Sequence, residues 1–148
     1  MPSIGNESCI WASGERFDAA KFVDESGLDV DYCWHQGEVS PDWDATKLPP
    51  HSGFGVSLET SAHHTYEQQF ARAVAILQSS RDAFCRLREM EGVCAHALFL
   101  IGRAELDPGV LAFSVHPPAV LLALLVDLDV QLEFYFSRER RIRVEGSS

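Results

Sequence analysis

The chain has 148 residues, of which 46% are apolar and 23% charged, and carries a net charge of −10. That is enough for one globular domain with a sizeable core and too little for two, and the composition is not that of a disordered chain. The acidic sign argues against nucleic acid, whose phosphates are met by Lys and Arg, and against an anionic membrane surface, and no apolar run nears the roughly 20 residues that span a bilayer.

The charge is unevenly spread. Residues 1–60 hold 11 acidic and 3 basic side chains, whereas residues 61–148 hold 11 and 9. A surface of that kind attracts a cationic protein and speeds its encounter. The start lacks the charged-then-apolar design of a signal peptide, and Cys9, Cys33, Cys85 and Cys94 form no C-x-x-C pair. Reduced core thiols in a cytoplasmic protein are therefore expected.

In chain order, "ESCIWAS" (7–13) is a short strand ended by Gly14. "ERFDAAKFVDES" spaces Phe17, Ala20 and Phe22 or Val23 as a short amphipathic helix, and Gly27 closes it. "LDVDYCWH" (28–35) alternates with period two. It is expected to turn Leu28, Val30, Tyr32 and Trp34 to the core, and Asp29, Asp31, Cys33 and His35 outward. Gly37 permits the turn that follows. "EVSPDWDATKLPPHSG" (38–53), with three prolines, predicts an ordered but irregular loop, and "FGVSLET" (54–60) another half-buried strand.

The helical region starts near Ser61 or Thr65, where Thr65 and Gln68 have capping-box spacing. Tyr66, Phe70, Ala73, Val74 and Leu77 form an apolar stripe; after "QSSRD", Ser80 can cap a second helix with Ala83, Phe84, Leu87 and Met90 inward. "VCAHALFLIG" (93–102) and "VLAFSVH" (110–116) predict two central strands joined by a turn at Asp107-Pro108-Gly109. Pro117 and Pro118 suit the first turn of a helix that is apolar nearly all round, and "DVQLEFYF" (129–136) closes the domain as a strand. The order β-α-β-β-αα-β-β-α-β predicts an α+β fold with a mainly antiparallel sheet of about six strands and helices on one face. Residues 1–137 form the single domain, and 138–148 a charged tail carrying Arg138, Arg140, Arg141 and Arg143.

This punctuation resembles a family of small bacterial domains of unknown function. The likeness rests on Trp34-His35-Gln36-Gly37-Glu38, on "SGFGVSLET", on the paired helices, and on "FSVHPPAVLLALLVDLDVQLEFYF". It covers about residues 5–137. His35 stands where that family usually has a basic residue, and the "PDWDATKLPP" loop is long. The resemblance implies no catalytic residues; some similar domains are like immunity proteins, which neutralise a toxin made from a neighbouring gene.

The densest set of chemically capable side chains is "DYCWHQGE" (31–38). Asp31, Cys33 and His35, with His51 near by, make at most a partial zinc set, as do His63, His64 and Glu67. Cys33 beside His35 has no nameable oxyanion donors or orienting third residue. Asp29, Asp31, Asp42 and Asp44 look like a solvated acidic face, not a desolvated acid–base pair. No P-loop, G-x-G-x-x-G or H-E-x-x-H motif occurs. The expectation is thus a non-enzymatic binding module without cofactor or metal. It would meet a basic protein through Asp29, Asp31, His35, Glu38, Asp42, Trp43 and Asp44, with Trp43 as an aromatic anchor ringed by acids. The alternative is a small-ligand or regulatory domain with a pocket near Trp11, Trp34 and Trp43.

Overall fold

The computed structural model describes residues 8–39, 48–60, 65–90, 95–102 and 115–136. Within them lie β1 (Cys9–Gly14), α1 (Ala19–Ser26), β2 (Tyr32–Trp34), β3 (Ser52–Ser57), α2 (Tyr66–Ser79), α3 (Arg81–Glu89), β4 (Ala95–Gly102), α4 (Ala119–Asp127) and β5 (Gln131–Phe136). The fold is α+β. Its sheet has five strands among the described residues, in the order β2-β3-β1-β4-β5.

The expected strand count is corrected, and the mainly antiparallel character of the sheet is borne out. The strand placed at 110–116 lies, for 110–114, outside the described residues, and Val115 and His116 belong to no strand, so about six strands become five among those described. The sheet is antiparallel at β2–β3, β3–β1 and β1–β4, but β4 and β5 run parallel. A parallel pair needs a crossover, and α4 sits in the connection between these two strands.

One face of the sheet supplies Ile10, Ala12 and Phe54 to a core that also takes in Phe22 of α1, Phe70, Ala73 and Leu77 of α2, Phe84 and Leu87 of α3, and Leu121, Leu124 and Leu125 of α4. All four helices thus pack on that face. Phe17, Phe22 and Phe54 form an aromatic group with ring centroids 5.6–6.1 Å apart, a spacing at which each pair adds about 0.5–1.5 kcal/mol beyond its area. In α1 it is Ala19, not Ala20, that turns inward, because the helix begins only at Ala19, after Phe17.

Local chemistry sets the helix ends. The Asp18 carboxylate accepts from the Lys21 amide at 3.1 Å, and Gly27, at φ +69°, ends α1 in the left-handed region where a side chain would be strained. At α2, Thr65 and Gln68 exchange hydrogen bonds of 3.1 and 3.2 Å, which satisfies two N–H groups that a helix start leaves open. Ser80 stands at the start of α3, but its side chain makes no capping bond there. Its carbonyl instead accepts from Phe84, while its amide donates back to Ile76, so one residue joins the two helices through its backbone.

The alternation expected over 28–35 breaks in the middle. Leu28 and Val30 do pack on the helical side, but only 32–34 are strand, and there Cys33, paired with Phe54, is the residue against that core. Tyr32 and Trp34 pair with Gly55 and Gly53 and lie on the opposite face of the sheet. The bend at Asp31 inserts the one-residue slip that exchanges faces. Trp34 is still only 2% exposed, because its ring covers Gly53.

Candidate functional site

Of the residues singled out in the sequence, Asp29, Asp31, His35 and Glu38 fall in and around β2, an edge strand of the sheet. Asp31 is exposed, yet its backbone carries on the ladder. Its amide donates to Gly55 at 3.0 Å, and its carboxylate accepts from the buried Ser57 amide at 2.7 Å. The carboxylate thus replaces a missing strand partner for β3, and Asp31 acts as a structural residue. Asp29, His35 and Glu38 are exposed, and among the described residues no ion pair reaches them. Asp42, Trp43 and Asp44 lie outside the described residues.

The stems of the intervening loop are pinned. The Gly37 amide donates to the Pro49 carbonyl at 3.0 Å, the Gln36 amide to Ser52 Oγ at 2.9 Å, and the Trp34 indole N–H to the His51 carbonyl at 2.9 Å. Gly37, at φ +71°, takes the left-handed conformation that closes the turn, with the Glu38 amide bonded to the His35 carbonyl at 3.2 Å. These bonds hold both ends of the loop against β2 and β3. They also present two apolar side chains that sequence reading passed over: Val39 is 82% exposed and Leu48 56%. Each was hidden in a proline-rich segment without periodicity, so no pattern marked it. Val39 follows Glu38 directly, and Leu48 precedes Pro49, whose carbonyl holds Gly37.

Among the described residues, Asp31, Cys33 and His35 do not converge on one point. Cys33 packs against the helical core, the Asp31 carboxylate is engaged with Ser57, and His35 projects from the turn. Among the described residues no group of three or more His, Cys, Asp and Glu side chains is placed to hold a metal; His63 and His64 lie outside them. Cys9 is buried and Cys33 and Cys85 are partly so, as core thiols are. The Trp34 ring occupies the space over Gly53, and its N–H is bonded to the His51 carbonyl.

A second feature lies elsewhere. Tyr66, Phe70 and Val74 of α2 face Val115, Pro118 and Val120 across an open groove of about 670 Å³, with Glu67 and His116 as its polar members. Tyr66 and Val74 were expected in the core; they are partly buried because the groove separates that side of α2 from the start of α4. Burial, and secondarily the Glu59 carboxylate, push the Tyr66 hydroxyl above its ordinary pKa of 10.0. The one sequence signal for this groove was that α4 is apolar on every side. Leu121, Leu124 and Leu125 fill the core, and Val120, Leu122 and Val126 remain 47%, 44% and 82% exposed.

Among the described residues no helix is long and apolar enough to cross a membrane. Comparison of the chain with protein-family models, with curated proteins and with solved structures returns no match. The functional reading therefore rests on the residues themselves.

Proposed function

We propose that this chain is a non-enzymatic, cytoplasmic protein-binding module, an immunity-type inhibitor that uses its acidic first 60 residues to cover a basic surface of a bacterial toxin. The observation that carries the reading is the pair of hydrogen-bonded loop stems beside β2, which expose Val39, directly after the acidic Glu38, and Leu48. Exposed apolar side chains on anchored backbone bind at a low ordering cost, and carboxylates at their border select a cationic partner and speed encounter. Asp29, Glu38, Asp42 and Asp44 supply that charge, and Trp43 is the aromatic anchor. Asp31 is excluded from the contact set because its carboxylate serves the sheet.

The test is affinity for the basic polypeptide that the chain captures from its source organism. Replacing Asp42, Trp43 and Asp44 by alanine weakens that complex by about 2–4 kcal/mol, the scale of a hot-spot anchor with its flanking charges, and leaves thermal stability unchanged. Unaltered affinity removes the loop from the account.

A further inference from the structure

We draw no further inference here: the strongest candidate, the open apolar groove between α2 and the start of α4 bordered by Phe70, Val74, Val115 and Val120, carries nothing because nothing in the structure shows what covers it.

Discussion

Gly53→Ala is a one-methyl change with a calculable cost. A Cβ at Gly53 would stand 2.4 Å from Trp34 Cζ2 and 2.5 Å from the Ala12 carbonyl oxygen. The indole cannot swing aside freely, since its N–H is bonded to the His51 carbonyl at 2.9 Å. The carbonyl belongs to β1, at the centre of the sheet. Overpacking of this kind costs about 1–3 kcal/mol, and the loss of unfolded-state freedom on replacing Gly returns about 0.4–1 kcal/mol. The net expectation is a loss of about 1.3 kcal/mol. In urea, with a slope of about 2 kcal/mol/M, the unfolding midpoint falls by about 0.6 M. Gly55→Ala is the internal control, because its nearest neighbours are Tyr32 Cδ2 at 3.3 Å and the Ile10 carbonyl at 3.8 Å, and its midpoint moves by less than half as much. In a Trp34→Ala background the cost of Gly53→Ala shrinks but does not vanish, since the Ala12 oxygen remains. A Gly53→Ala protein as stable as its parent, or one matching Gly55→Ala, would refute the packing of Trp34 over β3.

Two further expectations follow from the site. Asp31→Ala removes the acceptor of the Ser57 amide and destabilises the fold by about 1–2 kcal/mol, whereas Asp29→Ala changes stability by less than about 0.5 kcal/mol; denaturation of the pair separates the structural acid from the surface one. For Tyr66, the folded hydroxyl ionises above its ordinary 10.0, so the unfolded chain loses this proton first. The stabilisation is whole below pH 10.0 and declines as pH rises from there through the folded-state pKa. Tyr66→Phe flattens this part of the stability–pH curve, and an unchanged slope would contradict the desolvation of the hydroxyl.

Local signals carried the helices well. The capping box at Thr65 and Gln68, the stripe Phe70, Ala73, Leu77, and the terminating Gly27 depend on neighbours within a turn or two, and each stands in the structure. The sheet was less legible, because strand pairing is decided between distant residues. Nothing local shows that β4 and β5 run parallel, or that a bend at Asp31 moves Tyr32 and Trp34 to the far face. The two glycines that make room for those rings, Gly53 and Gly55, looked like ordinary alternation in a strand. At the candidate site, the exposure of Asp29, His35 and Glu38 was readable from composition and pattern. The ladder role of Asp31 was not, since it depends on Ser57, and neither were the exposed Val39 and Leu48. The α2–α4 groove was likewise hidden, because an apolar stripe has the same spacing whether it meets a core or borders a cleft.

The most direct test of the central claim is parallel affinity capture from a lysate of the source organism, with the parent chain and Asp29→Lys/Glu38→Lys as baits, bound at low salt and eluted by a rising gradient. The account predicts one basic polypeptide released from the parent at moderate ionic strength and absent from the variant, and growth inhibition by that polypeptide that is relieved when the parent chain is co-expressed. Equal recovery on both baits, or a captured polypeptide whose effect on growth the parent chain leaves unchanged, would contradict it.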